Sequence, residues 1–156
     1  VGTDPAQHSF SKVAGEVGLC LDVRSQSEDT LGLVAGRIDT LAAEIGSRHG
    51  VRFDLGPISG SDPAPMSKAM LDMMERVAGR IGLATRTMTS GAGHDAATFA
   101  HAGIPSGMVF IRNDNGSHNP EEHMDMADFD RALALFLGLM DEPAEAWAAI
   151  ASAEGT

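Results

Sequence analysis

The stretch Ser59-Gly60-Ser61-Asp62-Pro63-Ala64-Pro65 limits what this chain can fold into more than any other. Pro63 and Pro65 lack backbone N–H groups, and the Gly/Ser residues before them favour turns, so neither a helix nor a central strand can run through it. The chain must organise itself on either side, and the boundary is placed there: residues 1–57 as one unit and 58–156 as another.

Before that boundary, Val17, Leu19, Leu21 and Val23 alternate with Gly18, Cys20 and Asp22, the period of a half-buried strand. Ser25 and Glu28 form a capping-box signature. A helix is expected next, with Leu31, Val34, Ile38, Leu41 and Ile45 on one face and Gly50 as terminator. Val51, Phe53 and Leu55 predict a second strand. Strand, helix, strand is half of a small α+β unit.

After the boundary, Met70, Met74, Val77 and Ile81 mark a helix, and Ala84–Met88 a short strand. A glycine-rich turn at 90–93 leads into a short helix from about His94 to Ala102. Met108–Ile111 reads as an apolar strand, and Phe129, Ala132, Leu133, Phe136 and Met140 mark the last strong helix. Beyond Pro143 lies an Ala-rich tail carrying Trp147. Alternating helices and strands predict an α/β layer structure.

Composition removes several classes of function. The net charge of −11 repels phosphate backbones and no basic patch offsets it, so no nucleic-acid partner is expected. No apolar run approaches the ~20 residues of a membrane span, and no basic-then-apolar leader is visible. Cys20 is the only cysteine, which excludes an intramolecular disulfide and a cysteine-based zinc site and suits a reducing cytoplasm.

Three places could carry chemistry. The loop Asn115-Gly116-Ser117-His118-Asn119-Pro120-Glu121-Glu122 follows an apolar stretch, where α/β sheets gather ligands. His118 is a candidate metal donor, with Glu121 and Glu122 placed to orient it or bind a cation; the bland alternative is a solvated surface loop. In Ser90-Gly91-Ala92-Gly93-His94-Asp95-Ala96, His94 and Asp95 could support a neighbouring metal ligand; alternatively this is a tight turn with Asp95 favouring the helix dipole. It lacks the Lys-Ser/Thr pair of a phosphate loop, and Ser90 has no nucleophile-elbow context. Arg24, at the end of a predicted strand, is shaped to clamp a carboxylate with two hydrogen bonds, or else to pair with Asp22 or Glu28 on the surface.

Taken together, the Ser90–Ala96 block, the Gly103-Ile104-Pro105 turn, and Met108–Ile111 leading into Ser117-His118-Asn119-Pro120-Glu121-Glu122 resemble the N-carbamoyl amino acid hydrolase and allantoate amidohydrolase family, β-ureidopropionase-like members of the metallo-aminoacylase superfamily. The segment ending Asp22-Val23-Arg24 is similar too, and the resemblance runs from about Phe10 to Met140. It implies an α/β fold: the C-terminal part of a dinuclear metallohydrolase catalytic domain, plus half of an inserted α+β (ferredoxin-like) lid and dimerisation domain. It implies two divalent metal ions (zinc, manganese, cobalt or nickel), a small ureido or carbamoyl amino acid substrate, a homodimer and a cytoplasmic enzyme. His118 matches the last metal ligand, and Arg24 matches the arginine that holds the substrate carboxylate. Ser11 stands where the family usually has a substrate-binding Asn, and a shorter hydroxyl reaches less far. His94 and Asp95 would back up the metal site. The general-base Glu and the other ligands would lie upstream, so this chain is expected to be an inactive fragment by itself, with no catalytic residue and without retained metals. The alternatives are a metallopeptidase or aminoacylase of the same superfamily, and a non-catalytic dimerisation module.

Overall fold

The computed structural model describes residues 13–153, and the expected position of Ser11 lies outside them. The chain divides into two compact units, Val1–Leu55 and Gly56–Thr156.

In the first unit, α1 spans Glu28–His49. Its cap is Ser27, whose hydroxyl accepts the Thr30 N–H at 3.2 Å, not the expected Ser25. Ser25 sits one step further out, its Oγ accepting the Ser27 N–H at 3.1 Å. Glu28 and Asp29 in the first turn and Arg48 and His49 in the last complement the helix dipole. Gly50, at φ 66°, ends the helix in the left-handed conformation that a Cβ disfavours. The following segment turns back on the helix: a Cβ on Gly46 would come within 2.9 Å of the Val51 carbonyl oxygen. Leu31, Val34 and Ile38 on the expected face are half-buried, but no residue of α1 is fully buried.

The second unit holds α2 (Lys68–Arg80), α3 (Asp95–His101), α4 (Met126–Met140) and α5 (Ala144–Ala153). Ser67 caps α2, its Oγ accepting the Met70 N–H at 3.1 Å while its own N–H donates to the Ser106 carbonyl at 2.8 Å. Met73, Val77 and Ala78 of α2 pack with Leu135 and Leu139 of α4 and Ile150 of α5 to form the core. Met70, Met74, Leu83, Val109 and Trp147 surround it. The α2–α4 crossing is close because position 138 is glycine: a Cβ there would lie 2.8 Å from a Val77 methyl. Glu142, just past α4, ties the helices together by accepting from Arg76 and Arg80. The Pro-rich stretch is not a free tether. Pro63 and Ala64 are half-buried, and the Pro63 carbonyl lies 3.2 Å from His101 Nε2.

Two expectations need correction. The tail after Pro143 is the helix α5, which contributes Ile150 to the core. The α/β layering is not present among the described residues, which form five helices and no strand. The segments expected as strands (17–23, 51–55, 84–88 and 108–111) carry no ladder, and Leu19 and Leu21 remain 71% and 70% exposed. A strand is defined by a partner about 4.8 Å away, and apolar alternation supplies only one side of that pair. Among the described residues the first unit is α1 with extended segments on either side of it. No described helix is long and apolar enough to cross a membrane.

Candidate functional site

The His118 loop is built between two fixed points. Arg112 enters it held by Asp128 in the first turn of α4, with Nε and Nη2 at 2.9 and 2.8 Å from the same carboxylate oxygen. Arg131 takes the other oxygen at 2.7 Å. The loop then closes on itself through an isolated antiparallel bridge, with Asp114 N–H donating to His123 O at 2.7 Å and His123 N–H to Asp114 O at 3.2 Å. His123 therefore fastens the loop through its backbone.

Within this frame the backbone is tightly wound. Asn115 and His118 have φ of 65° and 60°, in the left-handed region uncommon for residues with a Cβ. Side-chain amides replace a regular ladder. Asn115 Nδ2 donates to Glu121 O, Asn119 Nδ2 donates to Asn115 O, and Glu121 N–H donates to Asn119 Oδ1, all at 2.9 Å. Asn113 Nδ2 donates to Gly116 O at 3.1 Å and to Glu122 Oε1 at 3.0 Å, and Glu122 Oε2 accepts the His118 N–H at 3.0 Å. The imidazole of His118 is exposed at the tip, and neither its ring nor the Glu121 carboxylate has a hydrogen-bond or ion-pair partner among the described residues.

The glycine turn is organised by Ser90. Its Oγ lies 2.9 Å from Ala92 O, 3.1 Å from Ala92 N and 2.8 Å from His94 Nε2. A hydroxyl has one hydrogen and two lone pairs. Its one hydrogen goes either to the Ala92 carbonyl or to His94 Nε2, and in both cases it accepts from the Ala92 N–H. Ser90 thus braces the turn through contacts confined to residues 90–94. The His94 ring also meets Phe110 edge-on, with centroids 5.7 Å apart. Phe110 lies just before Arg112, so His94 touches the segment feeding the His118 loop. No hydrogen bond, ion pair or ring contact among the described residues joins His94 or Asp95 to His118 itself.

In the other unit, Arg24 pairs with Asp22: Nε and Nη2 approach one carboxylate oxygen at 2.9 and 2.6 Å. Hydrogen bonding from Arg24 holds the Asp22 carboxyl below its usual range, and the same bond raises the Arg24 guanidinium. Both side chains are exposed, so solvent screens the pair.

The donor set bears on metal binding. No three or more His, Cys, Asp or Glu side chains converge among the described residues. Each ion of a metal centre needs several protein donors, so these residues alone do not fit one, let alone two. His118 is one exposed donor. An open cleft of about 410 Å³ between α2 and α5, lined by Ala69, Met73, Ala146 and Ile150 among others, includes none of the site residues.

Sequence reasoning named His118, His94 and Asp95 but missed Asn113, whose amide links both ends of the loop. Asn113, Asn115 and Asn119 are three asparagines within seven residues, a density suited to side chains that cap backbone groups.

Comparison with known proteins agrees with the motifs. Residues 6–142 match the model of Peptidase family M20/M25/M40. The chain is 33% identical over 131 residues to an N-carbamoyl-L-amino-acid amidohydrolase of Paenarthrobacter aurescens, covering 83% of this chain and 32% of that protein. It is 30% identical over 138 residues to an allantoate amidohydrolase of Escherichia coli strain K12, covering 86% of this chain and 33% of that protein. An uncharacterized hydrolase of Haemophilus influenzae is 29% identical over 134 residues, covering 85% of this chain and 32% of that protein. The chain therefore spans about a third of the length of the curated relatives it matches. No solved structure matches it. With the match extending across both compact units, the chain belongs to Peptidase family M20/M25/M40.

Proposed function

We propose that this chain forms part of a hydrolase that cleaves a linear amide or ureido C–N bond in an N-carbamoyl amino acid, allantoate or a related ureido acid. The observation that carries the reading is the His118 loop, in which a left-handed, exposed histidine is held by a cross-braced backbone in a chain similar to two amidohydrolases. In this reading His118 donates one imidazole nitrogen to a divalent metal site whose other donors and general base come from outside the described residues. When bound, such metals polarise a carbonyl and acidify water. The substrate carboxylate would replace Asp22 on Arg24, whose planar fork fits either oxyanion. His94, its Nε2 engaged by Ser90 and its ring edge-on to Phe110, would support the segment that leads into the loop. The whole protein is expected to act as a homodimer in the cytoplasm, with zinc, manganese, cobalt or nickel.

The test is metal content and turnover on a panel of N-carbamoyl-L-amino acids, allantoate and dipeptides, for the full-length protein and His118→Ala. The expected result is ureido-acid hydrolysis with metal and turnover both reduced in the variant. Dipeptide hydrolysis alone would favour a peptidase of the same family, and unchanged metal and turnover in the variant would remove His118 from the site.

A further inference from the structure

Glu122 was open to two roles, as a cation ligand or as a support for His118. Its geometry separates them. Both carboxylate oxygens are engaged inside the loop: Oε2 by the His118 backbone N–H at 3.0 Å and Oε1 by Asn113 Nδ2 at 3.0 Å. Two N–H donors, from positions nine and four residues upstream, converge on one side chain. Only a group with two acceptors satisfies both, and a charged acceptor makes the stronger bonds. Asn113 also grips Gly116 O at 3.1 Å, so the same pair spans the tightest part of the turn. His118 lies between these ties at φ 60°, a conformation that a β-carbon resists and that persists where its surroundings impose it. Neighbouring Glu121 makes no side-chain hydrogen bond or ion pair among the described residues, so of the two acids it alone is unengaged.

We propose that Glu122 is a positioning residue for His118: with Asn113 it fixes the His118 backbone in the left-handed conformation and so sets the direction of the imidazole, instead of binding a cation itself. The chemical value of that direction rests on the reading of His118 given above; the clamp does not.

The clamp has a signature that a simple loss of charge would not give. Glu122→Gln offers one acceptor and one donor, so either an N–H faces the Asn113 N–H or the Asn113 amide turns over and gives up Gly116 O; both outcomes leave neutral bonds only. Reversing the polarity with Asn113→Asp plus Glu122→Gln lets the introduced amide donate to the carboxylate now at position 113 while its carbonyl accepts His118 N–H, restoring both bonds and forfeiting only the Gly116 tie. The experiment is amide hydrogen exchange at His118, read by NMR on wild type, Glu122→Gln and the double variant, with Val77 in the core as folding control. Turnover and KM for an N-carbamoyl-L-amino acid are measured in parallel on the full-length protein. Glu122→Gln is expected to speed His118 exchange by about ten- to a hundredfold, the weight of a charge-assisted hydrogen bond, without changing Val77. The double variant is expected to recover part of that loss, because the 113–122 tie regains its charge while the acceptor for the His118 N–H stays a neutral carbonyl. In turnover, kcat falls and partly recovers while KM stays near wild type. Unchanged His118 exchange in Glu122→Gln, or a double variant no better than the single one, would overturn the clamp. Faster exchange with unchanged kcat, or a wild type without turnover, would leave the clamp standing and count against the chemistry assigned to His118.

Discussion

Replacing His118 by glycine and, separately, by alanine isolates what the left-handed backbone costs. At φ 60° a residue with a β-carbon is disfavoured by about 1–2 kcal/mol, a cost that glycine escapes. Glycine gives back about 0.4–1 kcal/mol through the larger entropy of its unfolded chain. The glycine variant should therefore be more stable than the alanine variant, by at most about 1.5 kcal/mol and centrally by somewhat under 1. The bond to Glu122 uses the His118 backbone N–H and survives both substitutions. The imidazole is exposed and makes no hydrogen bond or ion pair among the described residues, so the alanine variant should stay within about 0.5 kcal/mol of wild type. Urea denaturation of the three proteins gives the comparison directly, and a thermal scan should place the glycine variant a few degrees above the alanine one, about 3–4 °C. A glycine variant no more stable than the alanine variant would refute the claim that His118 is held in strain. Both variants lack the imidazole, so on the role proposed for His118 both should lose turnover when made in the full-length protein. A more stable protein with less activity is the pattern expected where strain is kept for function.

Further outcomes follow from the packing and the ion pairs. Gly138→Ala gains about 1 kcal/mol of helix propensity, but its methyl would lie 2.8 Å from a methyl of fully buried Val77, and overpacking of about 1–3 kcal/mol should make it destabilising in thermal melts. Gly36→Ala in α1 meets nothing within 4 Å and should stabilise its unit by up to about 1 kcal/mol in the same assay. Glu142→Ala removes a carboxylate only 6% exposed that accepts from Arg76 and Arg80, and should cost about 1–2 kcal/mol in denaturant titration, at the low end for charged bonds because both guanidinium groups are half exposed. The Asp22 carboxyl is held below its unfolded value by Arg24, so its contribution is present above the ordinary carboxylate range and fades as pH falls through the depressed value. Wild type and Asp22→Asn should thus differ slightly and evenly above the ordinary carboxylate range and converge as acid protonates Asp22, and a gap that persists once it is protonated would contradict the pairing.

Helices were legible in this sequence wherever local chemistry announced them. Gly50 stops α1 at the residue the pattern marks, and the 70, 74, 77 spacing lies within α2. The start of α1 slipped by two residues because Ser25 and Ser27 are both competent caps, and the choice between them is made by the turn in which Ser25 itself accepts the Ser27 N–H. Helix α5 was hidden for a different reason: its alanines are apolar on every side, so no stripe stands out, and only Ile150 becomes fully buried.

Strands failed where helices succeeded because their hydrogen bonds are made elsewhere in the chain. An α-helix closes its own N–H to C=O ladder within four residues, whereas Val17–Val23 or Val51–Leu55 can state a preference for pairing but cannot supply the neighbour. The same division runs through the candidate site. His118 is visible as a motif because its residue type names its chemistry. Its conformation is not, since histidine rarely takes φ near 60° and nothing adjacent forces it. What forces it is a carboxylate four residues on that is joined to an amide five residues back, a closure that exists only once the loop has folded. Residue identity thus reports which group could react, and the positions of Asn113 and Glu122 decide where it points. A substitution that preserves the Ser-His-x-Pro-Glu-Glu text but changes Asn113 should therefore disturb His118 more than the motif alone would suggest.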